Sequence, residues 1–327
     1  MKIAVTGATG FIGVNLCNHL ENAGHKVVGI VRSTEKGKAL LASSIQLVSG
    51  DLNDQDSLQR GFQGCDGVVH LAALFNNPEK SWEDYRDTNV NAVERVILAA
   101  REAGVKRVVH CSTVGVAIGK GSPPYDETSS YNAPEWDKYE TTKCEGEKLA
   151  LSYARQPEGP QVVVIRPAQV YGPGDRSKAK FYKMVKKGIL INPGKTLKHL
   201  IYVDDLSAAF ELSMIKKGID GEIFTIAGDE ITPLKDLIFI VGQALGVDKP
   251  KIYLPSTPIV MVATVVENVF NIIGKKPPIF RRSMDFFRKS VSFNPEKAKK
   301  NLDFSAKTSV TEGVQNTARW YSKEGLI

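Results

Sequence analysis

The sequence predicts an α/β fold in which a doubly wound parallel sheet carries helices on both faces. Short runs rich in valine and isoleucine alternate with stretches of helix length, the pattern of parallel strands joined by crossover helices. A glycine-rich turn joins the first of these runs to the helix that follows it. Right-handed crossovers would bring the carboxyl ends of the strands to one edge, where a ligand binds.

The first unit of this pattern runs from residue 2 to residue 31. A strand is predicted at 2–6, an apolar-periodic helix follows, and a second strand is predicted at 26–31. In the turn between them we expect Gly7 to permit the tight bend, Gly10 to leave room for a pyrophosphate, and Gly13 to let the helix pack on the sheet. The unpaired N–H groups at the helix start favour phosphate, so this unit predicts a dinucleotide site.

Glycine spacing alone does not identify the site. Gly61, Gly64 and Gly67 repeat the same three-residue spacing, but they precede a strand instead of joining a strand to a helix. Only the first copy has the context that a dinucleotide site requires.

The alternation continues through the first half of the chain. Further strands are predicted at 45–48, 68–71, 107–111, 161–165 and 222–227, and long helices at 82–103, 139–154 and 200–214. The segment 172–175 (GPGD) breaks the rhythm. We therefore expect a nucleotide-binding domain of residues 1–171 plus 198–228, and a smaller, mostly helical C-terminal substrate-binding domain of residues 172–197 plus 229–327.

The composition is that of a globular protein of one or two domains. The 327 residues are 42% apolar and 24% charged. A strand beginning at residue 2 predicts that no signal peptide is present. The four cysteines have neither CxxC nor zinc spacing, which predicts reduced thiols, a cytoplasmic protein and no metal site. The net charge is +7 without any nucleic-acid-binding motif, so no nucleic-acid partner is expected.

The late segment 258–273 is almost wholly apolar and is followed by basic residues. Sixteen residues that include Glu267 are too short to span a bilayer. The favoured interpretation is a buried helix that lines a substrate cavity. The alternative is a helix at a membrane surface, with peripheral contact through 258–289.

The second strand gives a cofactor preference. An NAD site usually has an acidic residue at the end of this strand, where the sequence has Val31 followed by Arg32, with Lys36 nearby. A guanidinium can pair with a 2′-phosphate through two hydrogen bonds, so NADP(H) is preferred over NAD(H). Asp51 and Leu52 follow the third strand and are placed to contact the adenine.

A tyrosine and a lysine supply the predicted chemistry. Tyr139 and Lys143 lie four residues apart, so one helix face presents both. A phenol with a pKa of about 10 is a poor base at neutral pH, and a neighbouring ammonium lowers that pKa. Thr113, just past the fifth strand, can hold the substrate oxygen. Tyr182 and Lys186 repeat the spacing, but they follow the break in the pattern.

Taken together, several ordered motifs resemble those of the extended short-chain dehydrogenase/reductase family, also called the NAD(P)-dependent epimerase/dehydratase family. The motifs are TGATGFIG (6–13), GDL (50–52), HLAA (70–73), TNV (88–90), CST (111–113), YETTK (139–143), RPAQVYGPGD (166–175) and YVDDL (202–206). The resemblance implies a Rossmann-type fold and a small-molecule substrate. It also implies a homodimer built from the helices near 82–103 and 139–154.

The same resemblance implies roles for individual residues. Tyr139 would be the general acid/base, Lys143 would bind the nicotinamide ribose and lower the tyrosine pKa, and Thr113 would hydrogen-bond the reacting oxygen. The remaining cofactor contacts would come from the glycine turn and the strand ends: Gly7, Gly10, Phe11, Ile12, Gly13, Leu71, Ala72, Ala73, Asn89 and Pro167.

Departures from the family pattern favour one branch. Val114 stands where sugar-nucleotide dehydratases carry an acid, and Lys198-His199 stand where epimerases often carry Arg-Asp. The chain is more similar to the dihydroflavonol reductase and 3β-hydroxysteroid dehydrogenase branch. The first interpretation is therefore an NAD(P)-dependent oxidoreductase that interconverts a secondary alcohol and a ketone on a bulky hydrophobic substrate.

Two alternatives stay open. One is a nucleotide-sugar epimerase that uses bound NAD, in which the hydride leaves the substrate and returns to its opposite face. The other is a non-catalytic cofactor-sensing protein. The convergence of Tyr139, Lys143 and Thr113 argues against the second, because such a set of titrating groups is typical of chemistry.

Overall fold

The computed structural model describes residues 1–75, 77, 79–119, 122–247, 252–254, 261–266, 269–270, 273 and 286–327. Within these residues the strands are β1 (Lys2–Thr6), β2 (Lys26–Val31), β3 (Gln46–Ser49), β4 (Gly67–His70), β5 (Arg107–Cys111), β6 (Gln161–Pro167), β7 (Gln169–Tyr171), β8 (Ile189–Ile191), β9 (Leu197–Tyr202), β10 (Ile223–Ile226), β11 (Ile231–Pro233) and β12 (Ile252–Leu254).

The helices of the described chain follow the strands in alternation through most of its length. They are α1 (Phe11–Asn22), α2 (Thr34–Leu40), α3 (Gln55–Phe62), α4 (Trp82–Arg86), α5 (Ala92–Glu102), α6 (Lys138–Ala154), α7 (Ala179–Lys187), α8 (Val203–Ile215), α9 (Leu234–Ala244), α10 (Glu296–Leu302) and α11 (Val310–Lys323).

A seven-stranded parallel sheet dominates the described chain, with the strand order β3-β2-β1-β4-β5-β6-β10. The predicted doubly wound parallel sheet is therefore confirmed. The chain places β2 and β3 on one side of β1 and then returns to place β4, β5, β6 and β10 on its other side. The order therefore reverses between β1 and β4. In such sheets a ligand binds at the carboxyl edge beside this switch point.

Helices cover both faces of the sheet because the strands are apolar on both sides. On one face α3, α5 and α6 enclose a core with the sheet, represented by Phe62, Val96, Ala150 and Val164. On the other face α1 packs along α8. A Cβ at Gly67 would lie 2.1 Å from Met214 Sδ, so glycine lets α8 approach the sheet.

The described chain divides into two compact units. Met1–Val170, Val203–Ala227 and Phe293–Ala306 form the first; Tyr171–Tyr202, Gly228–Ser292 and Lys307–Ile327 form the second. The first unit includes 293–306, which the sequence analysis assigned to the other part. The assignment of nucleotide binding to one domain and substrate binding to the other stays a prediction.

The second unit has its own core. Here α7, α9 and α11 contribute buried side chains that include Tyr182, Val185, Ile238 and Tyr321. β9 pairs antiparallel with β11, and β8 pairs parallel with β12.

Two helix predictions need adjustment. The helix predicted at 200–214 is wrong at its start, because residues 200–202 belong to β9, whose His199 pairs with Ile231. The helix begins only at Val203, with Asp204 and Asp205 in its first turn, where acidic residues favour a helix start. The helix predicted at 82–103 is interrupted by a π-helical turn at Asp87–Asn91.

The predictions for 258–273 and 258–289 fall partly outside the described residues, as do the basic residues within 274–285. In the described part, residues 261–266 are helical, with Met261, Val262 and Val265 exposed and Ala263 buried. No helix among the described residues is both long and apolar enough to cross a membrane.

A buried ion pair fastens α6 to the sheet. Arg166 on β6 donates from Nη2 to Oε1 of Glu147 on α6 at 2.6 Å, and from Nε to both carboxylate oxygens at 3.1 Å. The two side chains are only 2% and 0% exposed. Ser112 and Tyr131 also donate their hydroxyl protons to Glu147. These three partners of Glu147 fix the position of α6 over the ends of β5 and β6.

We expect Arg166→Met to lower the free energy of unfolding by about 3–5 kcal/mol, because it leaves a buried carboxylate without its counter-charge. Chemical denaturation measures the loss. The control is Arg86→Met, which breaks an ion pair between Arg86 and Glu145 of the same helix whose side chains are 54% and 37% exposed. That change should cost far less, because water screens an exposed ion pair. Equal costs for the two variants would contradict the role given to the buried pair.

A second polar cluster joins α1 and the turn after it to α8. Glu211 Oε2 lies 2.7 Å from His19 Nε2, and its Oε1 lies 3.1 Å from His25 Nε2. Burial acts to raise the pKa of Glu211, but the hydrogen bonds to His25 and His19 outweigh it and lower this pKa below 4.5. A carboxyl with a depressed pKa stabilises the fold above its unfolded pKa, and this contribution is lost as the pH falls through the folded value.

Glu211→Gln should therefore lower the unfolding free energy by about 1 kcal/mol or less near pH 6. The difference from the parent protein should shrink as the pH falls below 4.5, the ordinary pKa of the group. Denaturation curves recorded across this pH range test it, with Glu158→Gln in the exposed loop after α6 as control. A difference that persists unchanged in acid would refute the assignment.

Candidate active site

The glycine turn after β1 is shaped by close backbone contacts. Gly7 has a φ of +72°, and a Cβ there would lie 2.8 Å from the backbone nitrogen of Ala72. A Cβ at Gly13 would lie 2.1 Å from the carbonyl oxygen of Gly7. The first turn of α1 thus packs on the glycine turn itself, whereas the sequence analysis expected Gly13 to serve packing on the sheet. The turns after β1 and β4 meet at the switch point.

The start of α1 suits a phosphate group. Gly10 occupies the N-cap position, is exposed, and supplies no side-chain cap to the helix. Phe11 and Ile12 follow it half-buried. The N-cap position therefore lacks a side chain, and the first turn of the helix offers backbone N–H groups and the positive end of the helix dipole, which fits the pyrophosphate of a dinucleotide.

The residues predicted to contact the adenosine end lie at the carboxyl ends of neighbouring strands. Arg32 follows β2 and is exposed. Lys36 lies on α2, and its N–H donates to the capping hydroxyl of Ser33 at 3.3 Å. Asp51 comes shortly after β3, and its carboxylate accepts the N–H of Asn53 at 2.9 Å. Leu52 is half-buried. The fold brings all four to one edge, and their role in binding stays a prediction.

The tyrosine and lysine lie one turn apart on α6. Asp137 caps this helix by accepting the N–H groups of Tyr139 and Glu140 at 3.1 and 3.2 Å. Lys143 is buried, and its Nζ donates to the carbonyl oxygen of Cys111 at 2.5 Å. Burial lowers the pKa of Lys143 below its usual value. Tyr139 is half-buried on the same helix face.

Thr113 lies two residues beyond the carbonyl that holds Lys143. It caps the 3₁₀ turn Val114–Ala117, where its Oγ1 accepts the N–H of Gly115 at 3.1 Å. A hydroxyl that accepts one bond still has its proton to donate. The carboxyl end of β5 therefore presents a hydroxyl donor and a buried ammonium close together.

Asn89 joins the loop after β4 to α6. Its Oδ1 accepts the N–H of Leu74 at 2.8 Å, and its Nδ2 donates to the Leu74 carbonyl at 3.1 Å and to Thr142 Oγ1 at 3.0 Å. The resemblance implied that Asn89 lines the cofactor channel. In the structure its side chain is buried, and both ends of its amide engage protein atoms.

The remaining predicted cofactor residues follow the ends of β4 and β6. Leu71 and Ala72 are half-buried and Ala73 is exposed, while Pro167 is buried as the last residue of β6. The competing pair at 182 and 186 lies elsewhere. Tyr182 is buried in the core of the second unit, with its ring 4.8 Å from that of Tyr321.

Sequence reasoning missed two buried polar groups at this site. The first is the set around Glu147 and Arg166. Two signals could have revealed it: Glu147 is a carboxylate one turn after Lys143, and Arg166 is an arginine near the end of an apolar strand. The second is a pair of histidines, His70 and His110, whose ring centroids lie 5.5 Å apart.

The two histidines are uncharged near neutral pH. Burial, with a smaller effect of the Lys143 charge, lowers the pKa of His70 to about 3. Burial, followed by the charge of Lys143, also lowers the pKa of His110 well below its usual range. Lys143 is therefore the cationic group in this part of the site.

Comparison with known proteins places this arrangement in a family. The model of the NAD dependent epimerase/dehydratase family matches residues 3–227. A putative dihydroflavonol 4-reductase from Synechocystis is 27% identical over 99% of this chain and 95% of the relative. The 3beta-hydroxysteroid-dehydrogenase/decarboxylase isoform 1 of Arabidopsis thaliana is 28% identical over 91% of this chain and 70% of the relative.

A solved structure has the same fold. The UDP-glucuronic acid 4-epimerase from Bacillus cereus in complex with NAD superposes with a TM-score of 0.77 at 24% identity, covering 99% of each chain. The family match spans both the glycine turn and the Tyr139–Lys143 helix. The protein is an enzyme that belongs to the NAD-dependent epimerase/dehydratase family.

Proposed function

We propose that the protein is an NAD(P)-dependent oxidoreductase that interconverts a secondary alcohol and a ketone on a bulky hydrophobic substrate. One observation carries the proposal. Lys143 lies one helical turn from Tyr139 and is buried against the carbonyl of Cys111, the residue two positions before Thr113. An ammonium, a phenol and a hydroxyl donor thus gather at the carboxyl edge of the sheet.

The reaction follows from these three groups. When bound, the nicotinamide supplies or accepts a hydride. In the reductive direction Tyr139 gives its proton to the ketone oxygen, and in the oxidative direction it takes the proton from the alcohol. Thr113 donates a hydrogen bond to the same oxygen. The positive charge of Lys143, one helical turn away, favours the phenolate form of Tyr139.

Two observations favour the reductase over the epimerase. Both relatives named above are called reductases or dehydrogenases. Lys198 and His199, at the positions where epimerases often grip a diphosphate, are buried and bonded to the carbonyls of Lys289 and Gly228. Engaging a diphosphate would cost them these bonds. The epimerase stays the second candidate because a UDP-sugar epimerase shares the fold.

Tyr139→Phe should lower kcat for an apolar ketone by at least about 10²-fold, the usual contribution of a positioned acid or base. The affinity for the nicotinamide nucleotide should stay within about twofold, because the phenyl ring is retained. NADPH oxidation in the presence of a ketone panel measures the first quantity and nucleotide titration the second. Tyr153→Phe, at the far end of the same helix, is the matched control. Unchanged turnover in Tyr139→Phe would refute the assignment.

We infer that NADP(H) is preferred over NAD(H), because Val31 stands where an NAD site has an acid and exposed Arg32 follows it. Arg32→Ala should weaken NADPH binding about tenfold, or about 1.4 kcal/mol, and leave NADH binding nearly unchanged. Arg60→Ala on α3 is the control, an equally exposed arginine away from the second strand. Release of about one NAD per chain from the purified protein, with no preference for NADPH, would instead favour the epimerase.

Three further expectations complete the proposal. A homodimer would use the helical residues 82–103 and 139–154, and light scattering would detect it. The four free, buried cysteines suit a reducing cytoplasm. A peripheral membrane contact through 258–289 is supported by exposed Met261, Val262 and Val265, and sedimentation with anionic vesicles would test it.

A further inference from the structure

An exposed aromatic ring contacts the tyrosine at the centre of the site. Phe75 lies five residues beyond β4, in the loop that carries Ala72 and Ala73. Its ring centroid is 4.8 Å from that of Tyr139, in an edge-on arrangement with an interplanar angle of 72°. Yet 56% of Phe75 remains exposed. One part of the ring thus packs on Tyr139 while the rest faces open space.

Described residues on both sides of Phe75 are bonded to the rest of the protein. Asn89 binds the backbone of the preceding residue, Leu74, at both its N–H and its carbonyl. Two residues beyond Phe75, the N–H of Asn77 donates to the Tyr85 hydroxyl at 2.9 Å. The backbone at Leu74 and Asn77 is therefore anchored, and the ring contact with Tyr139 is present without a ligand.

The contact itself suits an aromatic or apolar ligand group. Edge-on aromatic pairs are favourable beyond their buried area, so Phe75 and Tyr139 orient one another. The remaining apolar surface of Phe75 gains by leaving water when a hydrocarbon group covers it. A hydroxyl-rich sugar ring would offer this surface less apolar area.

We propose that Phe75 is the specificity-determining residue of the site, and that its exposed ring receives the apolar group attached to the reacting carbon. The inference rests on the proposed function and deepens it. It names the loop after β4 as the element that selects hydrophobic ketones and alcohols, and Phe75 as the side chain that does so next to the proton donor.

The test is a selectivity ratio. The parent protein and Phe75→Ala are compared on a series of methyl ketones that runs from butanone to long-chain and phenyl ketones, with kcat/KM measured for each. We expect Phe75→Ala to lower kcat/KM about tenfold for the long-chain and phenyl members, and by less than about threefold for butanone. Phe75→Tyr keeps the ring and should retain the parent selectivity.

A matched control removes an exposed apolar side chain elsewhere in the same unit. Ile215 is 48% exposed at the end of α8. There the carbonyls of Met214 and Lys216 accept hydrogen bonds from Arg107, the first residue of β5. Ile215 thus lies at the amino edge of the sheet, opposite the site, and Ile215→Ala should leave the selectivity unchanged.

An equilibrium measurement separates the inference from the proposed chemistry. The same ketones are titrated calorimetrically into the NADP⁺-loaded protein, with and without Phe75→Ala, so that no turnover is needed. The inference predicts that affinity rises with ketone size in the parent and that Phe75→Ala binds the larger ketones about tenfold more weakly. This result would support the inference independently of the effect of Tyr139→Phe on turnover. An equal loss for every ketone would make Phe75 only a support for Tyr139, and it would overturn the inference while leaving the proposed function intact. Absence of ketone binding would also overturn it.

Discussion

The buried pair of Glu147 and Arg166 is the interaction on which the candidate site most depends. Two opposite charges removed from water must stay together, since either one alone would carry a large desolvation cost. Their contact ties α6 to β6, and Ser112 extends the tie to the segment after β5. The helix that presents Tyr139 and Lys143 is thereby held in place by charges that never meet the ligand.

A second constraint comes from backbone contacts that tolerate no side chain. Gly7 meets the backbone of Ala72, and Gly146 on α6 meets the carbonyl of Asn89, where a Cβ would approach to 2.1 Å. The first contact brings the glycine turn to the loop after β4, and the second brings α6 to the π-helical turn. Glycines at these positions set how closely the glycine turn approaches the loop after β4 and how closely α6 approaches the π-helical turn.

Much of the fold could be predicted from the sequence, because local pattern and tertiary environment agree there. The bounds predicted from valine-rich runs for β1, β2 and β5 match those of the structure. The π-helical turn could not be predicted, since the periodicity of 82–103 is helical throughout and the extra residue is specified by the tertiary bonds of Asn89. β9 was hidden because an apolar stretch of this length fits a helix or a strand until its partner β11 is known. For the site, spacing identified Tyr139 and Lys143, but the partners of Glu147 come from three distant parts of the chain.

The amide of Asn89 has a mechanical consequence. One side chain, belonging to neither element, is bonded to Leu74 in the loop after β4 and to Thr142 on α6, so it links the two. The dipoles around a bound oxygen would then be aligned before the reactants arrive, and little reorientation energy would be spent during the reaction itself. Hydrogen bonds that bridge a loop residue and a helix in this way oppose changes in their spacing, so they favour ligands that fit the spacing already present.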